Sequence, residues 1–137
     1  MTTRDAARRW AETWRTAWEA LDADPIVALY GPEVTFSTEA FREPYRGPAG
    51  VRAYVERVFA EERAPRVWTS QPIVDGDRAA VSWWAALSEE GRETTLAGTS
   101  VLRFDAAGLV AEQWDAWNLA SGRRRPPAGT PFDDPDS

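Results

Sequence analysis

From residue 66 to residue 120 the hydrophobic pattern settles into a period of two and keeps it through four runs. The runs are "RVWTSQPIV" (66–74), "RAAVSWWAALS" (78–88), "RETTLAGTSVLRF" (92–104) and "LVAEQWDAWNLA" (109–120), separated by "DGD", "EEG" and "DAAG". Strict alternation sends successive side chains to opposite faces of a sheet. Short Gly-containing turns join neighbouring strands antiparallel. The spacing therefore predicts a four-stranded antiparallel meander. Pro72 cannot donate to a ladder, so the first strand should lie at an edge or carry a bulge there.

The chain before this point has the helical period. Residues 3–21 carry Trp10, Trp14 and Trp18 at intervals of four, beside Ala7, Ala17 and Leu21. That is one apolar stripe on a helix, with Thr3 placed to cap it and Asp5 in its first turn. "DADP" breaks it, and Asp24 with Pro25 can start a short second helix, "PIVALY". "EVTFSTEAF" (33–41) alternates like a strand, and "FREPYRG" (41–47) is a charged, proline-bearing loop. "PAGVRAYVERVFAEE" (48–62) is a third helix, with Val51, Tyr54, Val55, Val58 and Phe59 on one side. The 137 residues suit one domain over 1–120, followed by a Pro/Gly/charge-rich tail over 121–137.

Composition narrows the chemistry. There is no His and no Cys, so a nitrogen/sulfur metal site is excluded, as are Ser-His and Cys-His nucleophile pairs. Acid–base work must fall to carboxylate, Tyr, Arg, hydroxyl or water. The net charge is −6 and the one basic run, "RRR" at 123–125, reads as the solvated start of the tail, so no nucleic-acid partner is expected. No 18-residue apolar run or apolar leader is present, which makes a cytoplasmic address with no membrane partner the default expectation.

The order of elements resembles the nuclear-transport-factor-2-like cone, the family of SnoaL-like polyketide cyclases, ketosteroid isomerases and limonene-type epoxide hydrolases. The residues that carry the resemblance are "AWEALDADPIVALYGPEVTF" (17–36), "YRGPAGVRAYVERVF" (45–59) and "GTSVLRFDAAGLVAEQWDAW" (98–117). It implies an α+β fold in which a curved antiparallel sheet wraps three N-terminal helices around a blind, mainly apolar pocket. The ketosteroid isomerase triplet of Tyr, Asp and Asp falls on Trp14, Thr38 and Ser100, so all three are replaced. The epoxide hydrolase set of Asp, Arg and Asp falls on Trp83, Val81 and Asp115, so one carboxylate survives. In the polyketide cyclases a single pocket carboxylate serves as acid/base, and Asp115 matches that role.

If Asp115 faces inward, alternation turns Gln113 and Trp117 inward with it. Trp83 and Ser100 follow on the neighbouring strands, Phe36 and Thr38 on the first strand, Trp14 and Trp18 on the first helix, and Tyr54 on the third. Gly98 leaves space among them. This is an indole-walled cavity with few polar groups, the usual composition of a small-molecule site. The resulting expectation is a cofactor-independent enzyme of cyclase, isomerase or dehydratase type, with Asp115 as acid/base on a small apolar molecule. The alternative is a non-catalytic ligand-binding or interaction domain, with Asp115 as a structural hydrogen-bond acceptor and the cone filled by Trp14 and Trp83. Trp84, Val101 and Trp114 have the opposite parity, which predicts a homodimer through the convex face unless the tail folds back over it.

Overall fold

The computed structural model describes residues 1–132, so the last five positions of the expected tail lie outside the described residues. Among the described residues three helices and seven strands follow in the order α1 (Thr3–Ala20), α2 (Ala23–Val27), β1 (Tyr30–Ser37), β2 (Tyr45–Arg46), α3 (Gly47–Glu61), β3 (Glu62–Thr69), β4 (Ile73–Asp75), β5 (Arg78–Glu89), β6 (Arg92–Phe104) and β7 (Val110–Ser121). The strands form one sheet in the order β2-β1-β7-β6-β5-β3, with β4 also paired to β5.

The meander forms as its alternation predicts, and β5, β6 and β7 pair antiparallel along almost their full lengths. The sheet as a whole is mixed rather than antiparallel, because β1 lies parallel to β7. Such a connection cannot be read from local turns, since everything between the two strands intervenes. Pro72 divides the first expected strand into β3 and β4, and both pieces pair with β5. Register shifts between Tyr30 and Thr35, between Arg63 and Arg66, and between Arg103 and Phe104 interrupt the ladders. Each such irregularity bends its strand and increases the local twist, so the sheet curls without closing.

The helices fill the concave side. A capping box starts α1: Thr2 Oγ1 accepts from the Asp5 amide at 3.0 Å, and an Asp5 carboxylate oxygen accepts from the Thr2 amide at 3.2 Å. The cap is thus Thr2 and not Thr3. Leu21, at φ 53°, ends the helix in the left-handed region. Asp22, rather than Asp24, caps α2. Tyr30, expected at the end of the second helix, instead opens β1. Trp10, Trp18, Ile26, Phe36, Val55 and Leu102 are buried together in the core. Each buried side chain of this size contributes about 1.5–3 kcal/mol relative to exposure.

The basic run is exposed, as expected, but it is also tied down. Arg123 reaches back to the carbonyl oxygens of Arg63 at 3.3 Å and Ala64 at 2.8 Å, and it also pairs with Glu93. Ala64 has φ 49°, so this clamp sits on the strained bulge of β3. Beyond it the chain crosses the convex face. The Trp84 indole donates to the Arg124 carbonyl at 2.7 Å and meets the Phe132 ring edge-on, with centroids 6.0 Å apart. Trp68, also outward by parity, is buried with the guanidinium groups of Arg66 and Arg125 near its ring. The tail therefore covers part of the face expected to be free, while Trp114 remains 52% exposed. Among the described residues no helix is long and apolar enough to cross a membrane.

Candidate functional site

Between the concave face and the helices lies a cavity of about 220 Å³. The helix stripe supplies Trp10, Trp14 and Trp18 to its wall, and α3 supplies Tyr54, Val55, Val58 and Phe59. The sheet supplies Phe36, Trp83, Ser100, Gln113, Asp115 and Trp117. The cone is therefore not filled, although its space is below the roughly 300–1,000 Å³ usual for drug-sized ligands. Trp117, at 38% exposed, and Leu119, at 57%, also line it and mark its mouth at the end of β7.

Gly98 explains how two indoles fit here. A Cβ at this position would stand 2.6 Å from Trp83 Cζ2, 2.6 Å from the Ala116 carbonyl oxygen and 2.8 Å from Trp117 Cβ. Only a missing side chain on β6 lets both rings stand on the strands that flank it, β5 and β7. The indoles then meet at an angle around the wall: Trp10–Trp14, Trp14–Trp18 and Trp18–Trp83 have centroids 6.1, 6.0 and 5.8 Å apart, tilted or edge-to-face.

Asp115 anchors the polar side of the cavity. Ser100 Oγ donates to its Oδ1 at 2.6 Å, and Gln113 Nε2 donates to the same oxygen at 3.0 Å. Behind Ser100 stands the Trp83 indole N–H, at 3.0 Å. Behind Gln113 stands the Tyr30 hydroxyl, which donates to Gln113 Oε1 and accepts from the indoles of Trp10 at 3.2 Å and Trp14 at 3.1 Å. No hydrogen bond from another described residue reaches Asp115 Oδ2. Asp115 is half-buried and borders the cavity. Loss of hydration pushes its carboxyl up to about 6, against the opposing pull of the Ser100 and Gln113 hydrogen bonds.

Nine of the ten positions expected at a site line this one cavity, and Thr38 does not. β1 ends at Ser37, so strand parity no longer aims the Thr38 side chain. What Thr38 offers is its carbonyl oxygen, which accepts the Trp117 indole N–H at 2.8 Å. Arg42 pairs with Glu39 at 3.1 Å, and the loop residues Arg42, Glu43 and Arg46 are not in the wall.

Sequence reading missed three groups. Trp10 belongs to the same stripe as Trp14 and Trp18 and needed only the same treatment. Tyr30 was hidden by its assignment to a helix. Glu62 is the largest omission: it is 2% exposed, lines the cavity, and accepts the Trp18 indole N–H at 2.7 Å. Burial pushes its carboxyl up to about 7, with Glu89 and Glu61 adding to the shift. A helix read through residue 62 would have put Glu62 on the face of Val55, Val58 and Phe59, although in the structure α3 ends at Glu61 and Glu62 opens β3.

The family model described as a SnoaL-like domain matches residues 7–113. Among solved structures the chain is similar to a hypothetical protein with a ketosteroid isomerase-like fold from Catenulispora acidiphila, in complex with trimethylamine. Identity is 15% over 84% of this chain and 86% of that one, with a TM-score of 0.70. It is also similar to SalBIII, an epoxide hydrolase/cyclase-like enzyme with a role in pyran ring formation in the polyether salinomycin, at 16% identity over 85% and 95% of the chains and a TM-score of 0.73. A third is an NTF2-like protein of unknown function from Exiguobacterium sp. 255-15, at 17% identity over 82% and 98% and a TM-score of 0.70. Among curated proteins there is no match.

Proposed function

The chain belongs to the SnoaL-like domain family, and from that premise we propose that it is a small-molecule pocket protein whose Asp115 acts as a cofactor-independent acid/base. The observation that carries this reading is the asymmetry of the carboxyl group. Oδ1 is held by two donors, while Oδ2 has none from the described residues and borders the cavity. A group titrating at about 6 can accept a proton near neutral pH and return it, which suits isomerisation, dehydration or cyclisation. The pair at Oδ1 fixes the carboxyl plane, so the reacting oxygen does not wander. The cavity volume of about 220 Å³ supports a ligand of one ring or a short branched chain, or a larger one that projects past Trp117. The complex of the Catenulispora neighbour with trimethylamine supports the view that a cone of this kind admits a small molecule.

A second reading is a non-catalytic dimeric ligand-binding domain. It is favoured by the fact that the Asp115 hydrogen bonds also knit β6, β7, β1 and α1 together. Native mass spectrometry of protein purified from its own host tests the shared premise, with a co-purifying small molecule as the expected result. The two readings then separate on turnover. Under the first, Asp115→Asn abolishes conversion of that molecule while the fold persists; under the second, the wild-type protein returns it unchanged. The cytoplasmic address belongs to the same proposal.

A further inference from the structure

Every indole that lines the cavity already has its N–H engaged. Trp10 and Trp14 donate to the Tyr30 hydroxyl, Trp18 to Glu62, Trp83 to Ser100 and Trp117 to the Thr38 carbonyl. The rings therefore present carbon faces and edges to a ligand and no polar donor. The negative electron density of an aromatic face attracts cations. Three carboxyl groups line the wall, Asp115, Glu62 and Glu89, and the first two each keep one oxygen that no hydrogen bond from another described residue reaches. No Arg lies in the wall, and the chain contains no Lys or His to supply one. Carboxylates in an aromatic enclosure without a counter-charge form an unbalanced electrostatic arrangement. The chain's net charge of −6 adds a field that draws cations to it.

We propose that the ligand of this cone is an organic ammonium ion, an alkylated nitrogen seated on the indole faces with Asp115 and Glu62 as its counter-charges. The proposal rests on the reading of the cone as a ligand pocket and names its substrate class. The ammonium supplies the missing positive charge, the aromatic wall replaces its hydration, and its alkyl groups match an apolar surface. Binding favours the ionised carboxylates, so affinity rises with pH across their titration. The groups facing them are acidic or neutral: Tyr30 and Tyr54 approach Asp115, and Glu89 and Glu61 approach Glu62. The Arg57 guanidinium lies over the Tyr54 ring, 5.6 Å from its centroid, and is not in the wall.

The test compares choline with its uncharged carbon isostere, 3,3-dimethylbutan-1-ol, by calorimetry and tryptophan fluorescence on the whole unmodified protein. Choline is expected to bind at least tenfold more tightly, and its affinity is expected to rise at least threefold between pH 5 and pH 8. In Glu62→Gln the ratio of the two affinities is expected to fall. Equal or tighter binding of the alcohol overturns the ammonium assignment and leaves the pocket reading standing. Choline affinity that falls with rising pH overturns it too, because the acids would then act as neutral donors. No binding of either probe at millimolar concentration overturns both the assignment and the pocket reading.

Discussion

At the scale of the residue, Asp115 shows how the surroundings of an acid set its proton affinity. Ser100 and Gln113 stabilise its ionised form, yet removal of water outweighs them and the carboxyl rises to about 6. Titration of the Asp115 carboxyl carbon by NMR is expected to give a midpoint near this value; one below the ordinary 3.9 or so would mark a stably ionised structural group and remove the acid–base proposal. Replacement works in the other direction at Trp14, Thr38 and Ser100. An allylic proton shuttle needs a base opposite its oxyanion donors, and none of these three supplies one near neutral pH. Turnover of a 3-oxo-Δ5-steroid is accordingly expected to stay at buffer background.

At the scale of the element, β6 and β7 position the site, and their pairing depends on one absent side chain. Trp83, Gly98 and Trp117 share a row across three strands. Gly98→Ala places a Cβ against the Ala116 carbonyl, which is backbone and cannot swing away. Overpacking of this kind costs about 1–3 kcal/mol. Urea unfolding is expected to show that loss, together with a change in tryptophan fluorescence as Trp83 or Trp117 shifts. An unchanged midpoint and spectrum would mean that the strands part more easily than their ladder suggests.

At the scale of the whole molecule, Asp115 and Glu62 make stability depend on pH. Both titrate higher in the folded chain than in the unfolded one, so folding favours their protonated forms. The resulting stabilisation is complete below about pH 4 and is lost as pH rises through about 6 for Asp115 and about 7 for Glu62. For a carboxyl that moves from 3.8 to about 6 this amounts to roughly 3 kcal/mol. Asp5 and Glu93 are shifted down and act oppositely, but both lie at the surface, where water screens them. Thermal midpoints are expected to fall between pH 5 and pH 8, with a smaller fall in Asp115→Asn; an equal fall in the two proteins would contradict the assignment. The exposed Trp114 bears on assembly. We propose a homodimer through the part of the convex face around Trp114 and Val101 that the tail leaves open. Sedimentation at micromolar concentration is expected to give a dimer mass that Trp114→Glu shifts toward monomer, and a monomeric wild-type protein would end that proposal.

The sequence by itself determined the elements and which way most side chains point. Period two is a property of the extended backbone, so Gln113, Asp115 and Trp117 had to share a face wherever the strand lay. The same locality fixed the indole stripe of α1 and the break at Pro72. Tertiary structure decided whatever depends on segments distant in the chain. The parallel seating of β1 on β7, the turn that takes Thr38 out of the wall and the clamp of Arg123 on Ala64 are all of this kind. So is the burial of Glu62, which becomes a pocket acid only when Trp18, 44 residues earlier, comes to lie against it. Periodicity reports the faces of one element, whereas a carboxyl group's hydration, partners and proton affinity are set by what other elements bring to it.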